Sequence, residues 1–187
     1  MKKSFDFYLL AIFLAMCISF VSCSKNKEME SVELAIGQAY QGGIIAYIDE
    51  TGEHGLIAAL QDQSGEMPWC YGTSPFPVTG ATATEIGTGK SNTEKIVQVQ
   101  GEGNYAAKSC ADLVIDSYND WFLPSRDELQ LLYQSRAEIG GFNYTNSYFS
   151  SSERGLSSVW YVSFSTGFQE GIYKDKSTYG VRAVRYF

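Results

Sequence analysis

The chain predicts an α+β fold with antiparallel strands, two or three helices and a long loop stapled to the body. Three observations carry this. Apolar or alternating runs bounded by turn residues occur near the start and again from Tyr148 to the end. Helical spacing with capping signals is confined to the middle. Eighteen glycines with 13 Tyr and 11 Phe supply many turns and favour pleated structure.

The first element is a leader. Lys2-Lys3 is followed by an apolar stretch, Phe7–Val21, which is short for a membrane span and suits a secretory signal. Phe20-Val21-Ser22-Cys23 resembles the lipobox of bacterial lipoproteins, with Phe20 where that pattern prefers Leu. The resemblance implies cleavage after residue 22 and lipidation of Cys23, with several acyl chains giving a stable membrane anchor. Ser24 rather than an acidic residue follows the cysteine, so an outer-membrane lipoprotein, displayed at the surface or facing the periplasm, is expected. Residues 23–37 read as a tether and 38–187 as the folded domain.

Gly42–Ile48 and Gly55–Leu60 read as a hairpin around Asp49-Glu50-Thr51-Gly52-Glu53. His54, at the second strand's start, has no nucleophile or metal cluster beside it and reads as a turn or cross-strand residue. Gln61–Lys90 is a long polar, glycine-rich loop with Trp69, Tyr71 and Phe76 as apolar pins. Thr88-Gly89-Lys90-Ser91 lacks the earlier glycine and preceding strand of a phosphate loop. Once the leader and Cys23 are set aside, Cys70 and Cys110 remain in an oxidising compartment. Their pairing would close a loop of about forty residues and contribute roughly 3–4 kcal/mol; two free buried thiols are the alternative. Two cysteines and one distant histidine cannot close a zinc site.

Ser91-Asn92-Thr93-Glu94 reads as a capping box opening a helix over Ile96, Val97 and Val99. Tyr105–Ile115 carries Ala106, Ala107, Cys110, Leu113 and Val114 on one stripe. Asn119-Asp120 is a turn, Trp121-Phe122-Leu123 is apolar, and Pro124 keeps Leu123 extended. Ser125 with Glu128 forms a second capping box, its helix running to about Ile139 before Gly140-Gly141. From Tyr148 a meander follows: Tyr148–Glu153, Ser158–Ser163, Phe168–Tyr173 and Tyr179–Phe187, the last with Arg182 and Arg185 interrupting alternation.

The ordered set Gly42-Gly43-Ile44, His54-Gly55-Leu56, Asn92-Thr93, Tyr105-Ala106-Ala107, Asp120–Ser125, Asp127-Glu128-Leu129, Ile139–Phe142, Phe149–Glu153 and Val181–Arg185 resembles a bacterial surface family. These are domains similar to the C-terminal domain of collagen-like adhesins, and the likeness covers about Gln38–Phe187. It implies a C-type-lectin-like fold, related to the major-paralogous-domain and formylglycine-generating-enzyme groups. It further implies pairing of the first strand, near Gly43–Ile48, with the last, near Val181–Tyr186, binding of sulfated polysaccharide, and trimerisation. This chain lacks the collagen repeat that supports a trimer, and it is acidic.

A net charge of −7 argues against a nucleic-acid groove. The expected function is a lipid-anchored, non-catalytic envelope module recognising a glycan or a protein partner; a structural part in a surface complex is the alternative. The candidate face is the long loop, Trp69, Tyr71 and Phe76, with the polar turns Glu153-Arg154 and Lys174-Asp175-Lys176. Trp121 and Trp160 read as core, and Asn119-Asp120-Trp121 as a structural turn. No cysteine follows Cys110, and no Ser/His/Asp set or paired-carboxylate motif is present, so an enzyme like the formylglycine-generating group is disfavoured. No cofactor is expected. Calcium is conceivable through Asp49, Glu50 and Glu53, or through Asp62 and Glu66, but acidic loops are usually solvated.

Overall fold

The computed structural model describes residues 33–187 apart from 73, 177 and 178; the leader and Cys23 lie outside the described residues. One compact unit begins at Glu33, with Leu34 already against the core, so residues 33–37 belong to the body rather than to the tether.

Strands form two sheets. In the first, β1 (Ala39–Tyr40), β2 (Gly43–Ile48), β3 (Gly55–Ala58) and β9 (Val184–Tyr186) lie in the order β1-β2-β3-β9, all antiparallel. In the second, β4 (Ser64–Met67), β8 (Tyr179–Val181), β5 (Ser147–Glu153), β6 (Ser158–Ser163) and β7 (Gln169–Tyr173) lie in the order β4-β8-β5-β6-β7. Only the short contact between β5 and β8 is parallel. Between β4 and β5 in sequence come α1 (Gly89–Gln100), α2 (Ala106–Ala111), α3 (Arg126–Gln134) and α4 (Arg136–Ile139). The chain is therefore α+β with predominantly antiparallel sheets, as its patterning predicts.

The core has two parts. Trp69, Tyr105, Cys110, Trp121 and Phe149 belong to one, and Phe122, Leu129, Leu132, Tyr148 and Phe164 to the other. Trp121 and Phe122 face opposite sides of one extended segment, pinned by reciprocal backbone bonds between Phe122 and Val184. Adjacent residues thus divide between the two clusters. Ser125 then caps α3: Glu128 N–H donates to its Oγ, and its own N–H donates to Glu128 Oε2. The same carboxylate takes Gly87 N–H at 2.8 Å and the Tyr186 hydroxyl at 2.6 Å, which binds the long loop and the last strand to this helix. Gly89 must be glycine, because a Cβ there would collide with Glu128 Oε2 and Ser125 N.

The structure revises five expectations. The tail is two strands in different sheets, broken where Arg182 turns inward to Asp62, 2.7 Å away, and to the carbonyls of Ala59 and Gly141. A buried guanidinium needs such partners, and supplying them costs the strand its continuity. The last strand pairs with β3, because β1 and β3 already flank β2. The helix at Ser91 starts earlier, at Gly89; Ser91 Oγ donates to the Thr88 carbonyl, so no capping box forms there. The helix after Ser125 breaks at Ser135, which separates α3 from α4. Cys70 and Cys110 are free, buried thiols in one core cluster, so the expected disulfide staple is not formed.

Candidate functional site

The residues nominated from the sequence do not assemble into a binding face, because three of them are interior. Trp69 is fully buried and its Nε1–H donates to the Ser150 carbonyl at 2.8 Å. Lys174 is also fully buried: its Nζ stands 5.2 Å from the Trp69 ring centroid, 2.5 Å from Glu153 Oε1 and 2.8 Å from the Pro77 carbonyl. Glu153 completes its shell by accepting from the N–H groups of Thr79 and Gly80. This ion pair, rather than a disulfide, staples the long loop to β5. Cys70 lies beside it, and burial pushes its thiol pKa up against the opposing pull of Lys174.

The other nominees are dispersed. Tyr71 is 58% exposed, but its N–H is held by Gln100 and its ring covers Gly103. Phe76 is half-buried against the first core cluster. Arg154 lies across Gly171, its guanidinium 4.9 Å from the half-buried Trp160 ring, with Arg126 at 5.1 Å. Asp175 is an exposed turn residue. The acidic loops are occupied too: Asp49 accepts from Thr51 and Gly52 in its own turn, and Asp62 holds Arg182 and the Tyr148 hydroxyl. Among the described residues no group of three His, Cys, Asp or Glu side chains is placed to hold a metal ion.

A groove of about 480 Å³ lies elsewhere, between α1 and the segment Asn119–Phe122. Lys90, Glu94 and Gln98, four residues apart, project from one face of α1 along one wall. Asn119 and Asp120 form the other, while Thr93, Val97, Ala111, Trp121 and Phe122 supply a mainly apolar lining. Lys90 and Glu94 are exposed and take part in no ion pair among the described residues.

The walls are rigidly spaced. Thr93 Oγ1 donates to the Leu123 carbonyl and accepts from Leu123 N–H, tying α1 to the opposite segment. Reciprocal backbone bonds between Ile115 and Tyr118 set the turn before Asn119, and Trp121 Nε1–H donates to the Tyr118 carbonyl. Arg185 grips Asp120 through Nε at 2.7 Å and Nη2 at 3.1 Å, with its Nη1 donating to Gln41. That hydrogen bonding, aided by the charges of Arg185 and Lys90, lowers the Asp120 pKa and keeps the carboxylate ionised. The sequence reading assigned Asn119-Asp120-Trp121 to turn structure alone; it missed the groove because α1 supplies the opposite wall. The i, i+4, i+8 polar stripe on α1 was the available signal.

A second cavity, about 430 Å³, is mostly apolar: Tyr47, Leu56, Ile86, Tyr186 and Phe187, with Asp49 and His54 also lining it. Burial and the neighbouring Glu128 carboxylate push the Tyr186 hydroxyl pKa well up, so it remains a donor. This cavity offers apolar contact and few groups that could orient a polar ligand.

Comparison with known proteins adds little. No family model matches the chain, and no curated protein does. Among solved structures it is similar to a fimbrial protein from Bacteroides ovatus ATCC 8483, at 14% identity and a TM-score of 0.49. That match covers 84% of this chain and 45% of the fimbrial protein, and it is too distant to transfer fold or role.

Proposed function

We propose that this chain is a non-catalytic cell-envelope module, anchored through lipid on Cys23, that binds a glycan in the groove between α1 and Asn119–Phe122. One observation carries the reading: the polar side chains of α1 and Asn119 face a fixed groove with an apolar lining. Sugar hydroxyls donate and accept at once, so an ammonium, a carboxylate and amides suit them, while the sugar's C–H face suits an apolar floor. The groove volume lies within the range of about 300–1,000 Å³ common for small-ligand sites. Lys90 is balanced by Glu94, and Asp120 is paired with Arg185, so the groove carries no net positive charge and a neutral or amino sugar fits better than the sulfated polysaccharide that the adhesin resemblance implies. That resemblance, with its C-type-lectin-like fold, supports a surface binding role, and the lipobox supports outer-membrane placement.

The test is a glycan array probed with this protein beside its Gln98→Ala/Asn119→Ala variant. The reading expects retention on neutral or amino glycans, lost in the variant while its circular dichroism spectrum is unchanged. Silence across the array, or equal retention by both proteins, overturns it.

A further inference from the structure

The outer edge of the second sheet is β7, a five-residue strand whose one exposed charge is Glu170. Its register with β6 runs through five consecutive pairs, Ser158↔Tyr173 to Val162↔Gln169, without a bulge. It contains no proline or lysine. Lys174, the basic residue at its end, is withdrawn into the interior by Glu153. Phe168 and Tyr173, at either end, are 74% and 62% exposed.

Alternation decides which backbone groups remain available. The Phe168 carbonyl accepts from Ser163 N–H, and Lys174 N–H donates to the Ser157 carbonyl, so even-numbered residues of this stretch face β6. Gln169, Gly171 and Tyr173 therefore point their N–H and C=O groups away from β6; the Tyr173 carbonyl already accepts from Lys176 N–H at 3.2 Å and keeps one lone pair for a further donor. Ile172 is half-buried, at the margin of the first core cluster.

We propose that β7 pairs antiparallel with β7 of a second copy about a two-fold axis at Ile172. In that register Gly171 of each copy lies opposite Tyr173 of the other, and the two exchange backbone hydrogen bonds. The Tyr173 ring of each copy then meets the Arg154 guanidinium that lies over Gly171 of the other. Ile172 meets Ile172 across the axis, which joins the margins of the two cores. A one-step slide that centres the axis on Gly171 would bring the two Arg154 side chains together, and a slide to Glu170 would oppose two carboxylates. Self-complementary polarity and core continuity at Ile172 favour a second copy over an unrelated strand.

The experiment uses the full chain in its own membrane. Under mild oxidation, Ile172→Cys is expected to give a disulfide-linked dimer on a non-reducing gel, because residues in a non-hydrogen-bonded pair lie within disulfide reach. Glu170→Cys and the unsubstituted chain, whose Cys70 and Cys110 are buried, should not. Sedimentation of the purified protein should show a dimer whose dissociation constant rises about tenfold or more in Tyr173→Lys, one 1.4 kcal/mol step or more, at unchanged melting temperature. A monomer at all concentrations without Ile172→Cys cross-linking, equal cross-linking by Glu170→Cys, or a captured foreign strand in place of the second copy overturns the proposal.

Discussion

The long-loop centre and the groove both gather charged side chains, yet they differ in what those side chains are bonded to. At the loop centre the side chains of Glu153 and Lys174 are each at most 1% exposed, and each is surrounded by protein partners. Along the groove Lys90, Glu94 and Gln98 stand in water on one helix face. The first arrangement holds structure, because removing either partner strands a buried charge. The second can hold a ligand, because its hydrogen-bonding capacity is still available to an incoming group. Residue type alone does not separate the two. Glu153 and Lys174 were nominated as ligand contacts for the same chemistry that the groove residues carry.

The contrast is broken most forcefully at the loop centre. Lys174→Met leaves Glu153 buried without its counter-charge and is expected to destabilise the protein by about 3–5 kcal/mol in denaturant unfolding. The paired Glu153→Leu/Lys174→Met variant should recover much of that loss; failure to recover any would mean that the loop is held by something other than the ion pair. Trp69→Ala should cost a similar amount, about 3–5 kcal/mol, as a core cavity with an orphaned Ser150 carbonyl. Unaltered stability would restore Trp69 as a surface platform.

A smaller effect belongs to Asp120, which shares features of both regions. Its pKa is lowered in the folded chain, so its contribution is complete above the ordinary value of 3.8 and is lost as pH falls through the lowered folded value. Asp120→Asn is expected to cost about 1 kcal/mol at neutral pH, given solvent screening of a partly exposed pair. It should also flatten the loss of stability below the ordinary aspartate range, as followed by thermal melts across an acid series. The smallest stability change is expected for Glu94→Gln or Gln98→Ala, within about 0.5 kcal/mol. A cost above 2 kcal/mol would place these side chains in the structural class with Glu153.

How much was legible follows from how local each feature is. The Ser125–Glu128 box lies within one helical turn and forms as its spacing predicts. Glu128's bonds to Gly87 and Tyr186 come from distant segments, and no local pattern announces them. Arg182 and Arg185 were visible as interruptions of alternation, but not as the cause of a strand break or as the clamp on Asp120. The cysteines illustrate the converse error. Compartment and count pointed to a bridge, while the structure places both as apolar core residues.

By itself the sequence determined the α+β class, the β2–β3 hairpin, the capped helix after Pro124 and the net acidic charge. These rest on periodicity, capping chemistry and summed charge, all short-range or additive properties. Only the tertiary structure decided that Glu153 and Lys174 neutralise each other inside, that the tail divides between two sheets, and that α1 stands opposite Asn119 to form a groove. Those outcomes depend on which partners meet across many tens of residues, and burial then assigns identical side chains to opposite roles.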